Sequence, residues 1–168
     1  MAEIVLRAIE EQDLLLIQRW RNSTYVMSNC RQYRPISYQD MLIWYKSKRD
    51  GDYNLSQDLF IIVCDNKDIG VGGFTRIDWR NRKGEVSFYI GDISSMAEEI
   101  IKLALSHIIQ YGLATLCLRK IYFPCYEFNP YLPYYKEVMN EEYIAKSEYY
   151  QDGKFWDRII LSKFAEDK

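Results

Sequence analysis

The sequence offers little that could bind a metal ion or build a disulfide framework. It contains one histidine and four cysteines, and no two of the cysteines form a CxxC pair. Structural zinc sites use closely spaced Cys and His ligands, so we expect no metal in this protein. Because disulfides are rare in reducing compartments, we interpret the cysteines as the free thiols of a cytoplasmic protein.

Long apolar runs and a large excess of one charge are also missing. No apolar run approaches the roughly 20 residues that a membrane-spanning helix needs, and no basic leader precedes an apolar stretch at the amino terminus. The 22 Lys and Arg side chains nearly balance the 24 Asp and Glu side chains, which leaves a net charge of -2. We therefore expect no membrane association, and nucleic acid is a poor match as a partner because it selects strongly basic surfaces.

The composition that remains is that of a globular protein. The 168 residues are 48% hydrophobic and 27% charged, which predicts a single domain over residues 1–168. Tyrosine and tryptophan are abundant, with 15 and 4 residues. Such amphipathic rings line half-wet ligand grooves, but they also fill small cores, and composition alone does not separate the two.

The periodicity of apolar residues predicts the order β-α-α-β-β-β-α-β-α-β-β. The clearest helix runs from about Met96 to Tyr111, and a cap-like S-x-x-D at Ser37 and Asp40 begins another. Three strands in succession favour an antiparallel meander, and the later strand-helix-strand unit requires a parallel pair, so the sheet is mixed. The predicted strands are 4–8, 58–64, 69–78, 85–90, 120–126, 143–150 and 155–164.

Three of these strands have features that bear on a site. The glycines at 70, 72 and 73 indicate a bulge or the close approach of another backbone. Pro124 interrupts its strand, which must be unpaired on one side there because proline has no N–H to donate. Strand 85–90 alternates strictly, with one face formed by Val86, Phe88 and Ile90 and the other by Glu85, Ser87 and Tyr89.

The order of elements and three segments on it resemble the GNAT superfamily of N-acetyltransferases across nearly the whole chain. The segments are LRAIEEQDLLLIQRWRN, IGVGGFTRIDWRNRKGEVSFYIGD and YYQDGKFWDRIILSKF. Within the superfamily the sequence is similar to the branch of ribosomal-protein N-terminal and aminosugar N-acetyltransferases. The resemblance implies an α/β (α+β) domain with a mixed central sheet of about seven strands and about four flanking helices. The fourth and fifth strands of that sheet would be splayed.

The resemblance also implies the reaction, which is acetyl transfer from acetyl-CoA to a primary amine. The acceptor would be an aminosugar nucleotide, a protein N-terminus or a small amine. An amine at neutral pH is mostly ammonium, so the enzyme needs a proton acceptor, and Glu85 matches the family's catalytic Glu in position. Tyr135 matches the family's tyrosine beside the coenzyme sulfur, with Tyr134 as its rival. A solvent-facing Glu85 and a Tyr135 packed on the sheet are the structural alternatives.

The cofactor site departs from the family pattern at the helix after the fourth strand. The family loop has the form Q/R-x-x-G-x-G/A, whereas this chain has the shorter ISSM and no glycine pair. Ser95 and Glu98 are predicted to form a capping box, which would satisfy the helix start internally. The cofactor-binding residues implied are the backbone of the fourth strand, the shortened loop and one asparagine: Phe88, Tyr89, Ile90, Ser94, Ser95, Met96, Ala97 and Asn129.

Two interpretations of the shortened loop remain open. In the first, acetyl-CoA binds through the serines and backbone N–H groups of the loop. In the second, the fold is retained without the cofactor, and the protein is a non-catalytic ligand- or protein-binding module. Asn129 likewise either contacts the pantetheine arm or caps its helix.

The acceptor side of the site would be formed by the first helix, the loop after it and the fourth strand. A small-molecule or peptide amine is the expected partner, and a homodimer is compatible with the resemblance. The acceptor-binding residues implied are Arg21, Tyr33, Arg34 and Ser87.

Overall fold

The computed structural model describes residues 2–32, 34–49 and 56–166. Its strands are β1 (Ile4–Ala8), β2 (Asp58–Cys64), β3 (Lys67–Asp78), β4 (Lys83–Ile90), β5 (Lys120–Tyr126), β6 (Asn140–Gln151) and β7 (Lys154–Phe164). Its helices are α1 (Leu14–Arg21), α2 (Thr24–Ser28), α3 (Tyr38–Arg49), α4 (Glu98–Ala114) and α5 (Leu132–Val138).

The seven strands form one mixed sheet in the order β1-β2-β3-β4-β5-β7-β6. Strands β4 and β5 are parallel, and the other neighbours are antiparallel. The parallel pair is joined through α4, as a strand-helix-strand unit requires. This confirms the predicted seven-stranded mixed sheet. None of the helices in the described part of the chain is long and apolar enough to cross a bilayer.

Helices cover both faces of the sheet and make two cores. On one face α1 and α3 pack on β2 and β3, with Leu14, Ile17 and Met41 against Ile61 and Val71. The larger core lies on the other face under α4 and α5, and its members from α4 are Ile101, Ala104, Leu105, Ile108 and Ile109. Burial of each large aliphatic side chain contributes about 1.5–3 kcal/mol, so the two cores together hold the sheet between its helical layers.

The alternation predicted for β4 is present and divides its side chains between the two faces. Val86 and Ile90 are buried in the core under α4, and Phe88 packs against it. Tyr89 packs against the other core, beside α1 and α3. Strand β4 therefore presents its polar face, with Glu85 and Ser87, to the side of α1.

The described part of the chain has one more α-helix than the four that were predicted. The added helix is the short α2, which begins directly after α1 ends. Ser23 is its N-cap, and the Oγ of Ser23 accepts a hydrogen bond from Val26 N at 3.2 Å. The predicted cap of α3 is confirmed, because Ser37 Oγ accepts from Asp40 N at 3.1 Å and Asp40 Oδ2 accepts from Ser37 N at 3.0 Å.

The glycines of β3 serve a bulge and a close approach, as predicted. Ile62 pairs with Gly70 and Val63 with Asp68, so Ile69 is the extra residue of a bulge. A Cβ on Gly70 would lie 2.3 Å from the carbonyl oxygen of Tyr89. Glycine at this position therefore lets β3 lie close against β4.

Candidate active site

A gap between β4 and β5 creates the site. The two strands pair only from Lys83 to Glu85 on β4 and from Lys120 to Tyr122 on β5. Both continue beyond this point, so they separate after Glu85, and from there on the edge of β4 that faces β5 has no partner among the described strands. The predicted splay between the fourth and fifth strands is confirmed. Pro124 lies on the separated part of β5.

A cavity of about 280 Å³ fills the gap and extends towards α1 and the segment after α2. Both separated strands line it, and so do residues of the helical layer on the polar face of β4. A second, smaller cavity of about 40 Å³ adjoins it on the side of Tyr25, Met96 and Tyr131. The lining residues that matter below are Arg21, Arg31, Gln32, Glu85, Ser87, Phe88, Tyr89, Phe123, Pro124, Asn129 and Tyr135.

Glu85 is buried at the point where the strands separate. Its residue is only 2% exposed, so the structure contradicts the alternative of a solvent-facing Glu85. One carboxylate oxygen accepts from Arg31, and the other accepts from Arg76 Nη1 at 2.6 Å. The two guanidinium groups offset the charge of the buried carboxylate, which would otherwise be costly to desolvate.

Sequence reasoning missed both arginines. Glu85 pairs across the hairpin with Thr75, and Arg76 is the next residue, in a bulge where its φ is 51°. The hairpin register could therefore have indicated Arg76. Arg31 lies 54 residues from Glu85 in the chain, and no local pattern marks it.

Tyr135 lines the cavity and packs against an aromatic side chain of each separated strand. Its residue is 5% exposed, and its ring centroid lies 5.1 Å from that of Phe123 and 6.0 Å from that of Phe88. Burial raises the pKa of Tyr135 well above its usual value, so its phenol remains protonated. Tyr134 is absent from the lining and lies against Tyr131 instead, at 6.2 Å between centroids.

Asn129 lies just before α5 and is 8% exposed. Its Oδ1 accepts from Tyr131 N at 2.9 Å, which orders the turn into the helix. The residue also lines both cavities. Asn129 therefore both orders the turn before α5 and lines the site.

Two buried polar atoms of cavity-lining residues have no partner in the described residues: the hydroxyl of Tyr89 and Oε1 of Gln32. Burial raises the pKa of Tyr89, and the nearby positive charge of Arg21 acts in the opposite direction. The amide of Gln32 has a defined orientation, because its Nε2 donates to the carbonyl oxygens of Arg21 and Arg34 at 3.3 and 2.8 Å. Its Oε1 is therefore left as an acceptor.

The remaining acceptor candidates differ in their placement. Arg21 and Ser87 line the cavity, whereas Arg34 is exposed and does not line it. The structure thus does not bring Arg34 to the site. Tyr33 lies outside the described residues.

The start of α4 differs from the prediction. The helix begins at Glu98 with Ala97 as its N-cap, and no side chain of the described residues caps it. The predicted capping box of Ser95 and Glu98 is wrong, because the Ser95 hydroxyl donates to Asp92 Oδ2 at 2.6 Å. Glu98 instead pairs with Lys102 at 2.8 Å. The first N–H groups of α4 therefore keep no side-chain acceptor, which suits an anion.

A small polar cluster precedes this helix start. Asp92 Oδ2 accepts from Lys67 Nζ at 2.6 Å, and Ser94 Oγ accepts from the same Nζ at 2.8 Å. Burial alone would raise the pKa of Asp92, but the hydrogen bonds from Lys67, Ser95 and Ser94 hold it at about 2. The predicted Ser94 and Ser95 hydroxyls are thus already engaged. Met96 accepts from the Tyr25 hydroxyl through its sulfur at 3.4 Å.

Comparison with known proteins agrees with this geometry. The acetyltransferase (GNAT) domain family matches residues 3–131 of the chain. A spermidine N-acetyltransferase from Vibrio cholerae, solved in complex with CoA and spermine, is 22% identical with a TM-score of 0.85, and the match covers 96% of this chain and 95% of that chain. A dodecameric spermidine N-acetyltransferase from the same organism is 19% identical with a TM-score of 0.79, covering 96% and 93%. The search of curated proteins found no match.

Proposed function

We propose that this chain, which belongs to the GNAT family of acetyltransferases, transfers the acetyl group of acetyl-CoA to the primary amine of a small molecule. The observation that carries the proposal is the pairing of Glu85 and Tyr135 in one cavity at the separation of β4 and β5. The carboxylate can accept the proton that the amine loses, and the protonated phenol can donate a proton to the departing thiolate. Both proton transfers of acetyl transfer to an amine can therefore take place in one cavity.

Acetyl-CoA supplies an activated acyl group as its thioester, and the residues present fit it. The unpaired edge of β4 would contact the pantetheine arm near Phe88 and Tyr89, on the open side of the strand. The uncapped start of α4 would bind phosphate through its backbone N–H groups. The predicted capping box, which would have satisfied this helix start internally, is absent.

Glu85 would remove the proton that the acceptor amine loses. Both oxygens of Glu85 accept hydrogen bonds from guanidinium groups. The amine would therefore contact Glu85 either after Arg31 moves away from it or through a bridging water molecule. Arg31 can move away from Glu85 into solvent because its side chain is 49% exposed. Arg76 would then keep the carboxylate in position.

The thioester side of the reaction would be served by β4 and Tyr135. Backbone N–H groups on the unpaired edge of β4 can stabilise the negative charge that develops on the thioester oxygen. The Tyr135 phenol is protonated and buried, so it can donate a proton to the departing thiolate. Asn129 borders both cavities and would contact the arm between them.

A small amine fits the cavity better than a protein N-terminus. The volume of about 280 Å³ is partly enclosed between the sheet and the helical layer of α1 and α3. Ligand pockets for small molecules typically have volumes of about 300–1,000 Å³, so the volume of this cavity is just below that range. The aminosugar nucleotide and the protein N-terminus are the two alternative acceptors.

The test is acetyl transfer by the full chain, followed as CoA release with a panel of primary amines. We expect CoA release that depends on the acceptor, and a thermal shift of the protein with acetyl-CoA alone. A folded protein that neither releases CoA nor binds acetyl-CoA would contradict the proposal and favour a non-catalytic module.

A further inference from the structure

The charges at the cavity have a strong positive surplus. Three guanidinium groups, those of Arg21, Arg31 and Arg76, lie at or next to the cavity wall. Glu85 is the only carboxylate among the described residues that line it. The two positive charges of Arg31 and Arg76 exceed the single negative charge of Glu85 by one. The positive charge of Arg21 is a further one that no carboxylate of the described lining balances.

We propose that the acceptor carries an anionic oxygen group, a carboxylate or a phosphate, in addition to its amine, and that Arg21 binds this group. The inference rests on the proposed function, because it describes the second substrate of the same site. Arg21 is the last residue of α1, and it makes no ion pair with any described residue. A guanidinium binds carboxylate and phosphate in the same planar, two-pronged way.

The unpaired hydroxyl of Tyr89 supports this assignment independently. It is buried on the cavity wall and finds no partner in the described residues. Buried polar groups are almost always hydrogen-bonded, so this hydroxyl is suited to a ligand atom. It lies close enough to Arg21 for the guanidinium charge to act on its pKa. An oxyanion between the two would accept from both.

Gln32 gives the same end of the cavity an acceptor. Its Nε2 is used by two backbone carbonyls, so Oε1 is left as a buried acceptor without a partner among the described residues. A hydroxyl or N–H of the acceptor molecule can donate to it. Arg21, Tyr89 and Gln32 are therefore polar residues of the cavity wall in addition to Glu85 and Tyr135.

A polycationic acceptor fits these charges poorly. Each further ammonium group of a polyamine would meet the surplus of guanidinium charge within a partly enclosed cavity, where like charges repel more strongly than in water. The V. cholerae protein bound spermine in its crystal. The present chain should differ from it in acceptor class.

The experiment compares matched acceptors at saturating acetyl-CoA with the full chain. The pairs are β-alanine with β-alaninamide and glucosamine phosphate with glucosamine, and spermidine is the polycation. We expect kcat/KM of the anionic member to exceed that of its neutral partner by roughly 10- to 100-fold in at least one pair, as a charge-assisted hydrogen bond allows. The pair that shows the difference distinguishes carboxylate from phosphate.

Arg21→Met should abolish the preference, mainly by raising KM for the anionic acceptor more than KM for its neutral partner. Arg19→Met is the matched control, because Arg19 is exposed on the same helix and should keep the preference. Equal or better rates with neutral amines or spermidine would overturn the inference while the proposed function stands. A preference that survives Arg21→Met would overturn the role of Arg21. No transfer to any acceptor would overturn the proposed function and the inference with it.

Discussion

Replacing Glu85 by glutamine separates catalysis from stability in this site. The substitution keeps the size of the side chain and removes its charge, so Arg31 and Arg76 lose their shared partner. The same change removes the proton acceptor that we propose for the amine. Structure and mechanism therefore predict two effects of different size.

The stability effect should be modest. Removing one partner of a fully buried ion pair costs about 3–5 kcal/mol. Here only Glu85 is buried, and the two arginine side chains are 49% and 61% exposed, so they can regain water. We expect a loss of about 1–2 kcal/mol, since exposed partners contribute far less than buried ones. For a chain of this length that lowers Tm by about 2–8 °C.

The catalytic effect should be much larger. General base catalysis typically contributes about 100- to 10,000-fold, so kcat of Glu85→Gln should fall by about 100-fold or more. Typical domains are stable by about 5–15 kcal/mol, and a loss of the size expected here leaves the variant folded at room temperature. A fall in kcat of this size would therefore not arise from unfolding.

The assay is steady-state CoA release with one acceptor, paired with thermal unfolding of the same samples. Glu141→Gln is the matched control. Glu141 lies on the exposed strand β6, away from the cavity, and forms an ion pair with Lys136 at 2.8 Å. It should change neither kcat nor Tm appreciably. A kcat of Glu85→Gln within about threefold of wild type would refute the assignment of Glu85 as the proton acceptor, because even weak general base catalysis exceeds that factor.

Two further predictions concern Tyr135 and the glycines. Tyr135→Phe should lower kcat by about 100-fold with little change in Tm. Because burial raises the pKa of Tyr135, its phenol should stay protonated through the range of about pH 9 to 11, where an ordinary tyrosine ionises, and kcat should show no tyrosine-dependent decline there in a pH–rate profile. A decline that disappears in Tyr135→Phe would contradict this. Gly70→Ala would place a Cβ 2.3 Å from the Tyr89 carbonyl oxygen and should cost about 2–3 kcal/mol in urea unfolding. Gly153→Ala, which meets open space but has a φ of +82°, should cost only about 1 kcal/mol, and equal losses for the two variants would refute the steric reasoning.

Much of the fold was predictable because its signals are local. The two-residue alternation of Val86, Phe88 and Ile90 identified β4 and its two faces, and the structure keeps both. The S-x-x-D at Ser37 correctly indicated the start of α3. The similar S-x-x-E at Ser95 was wrong, because a neighbouring carboxylate, Asp92, takes the serine hydroxyl and Lys102 takes Glu98. A capping pattern is decisive only where no stronger partner competes for its side chains.

The site was predictable in part. The family resemblance indicated Glu85 by its position on β4, and it indicated Tyr135 with Tyr134 as its rival. Which tyrosine lines the cavity depends on which face of α5 packs against Phe88 and Phe123. The sequence does not specify that face, and the tertiary packing does. The roles assigned to these residues, the cytoplasmic location and the homodimer stay predictions.

The sequence by itself determined the order of the strands and the mixed sheet, because periodicity, proline and glycine act on the backbone within a few residues. The separation of the two parallel strands was implied by the family resemblance. Only the tertiary structure decided the electrostatics of the site. Arg31 contacts Glu85 from 54 residues away in the chain, and the charge of Arg21 acts on Tyr89 from another element. Charge acts through space, so the feature that should select the acceptor has no local pattern in the sequence.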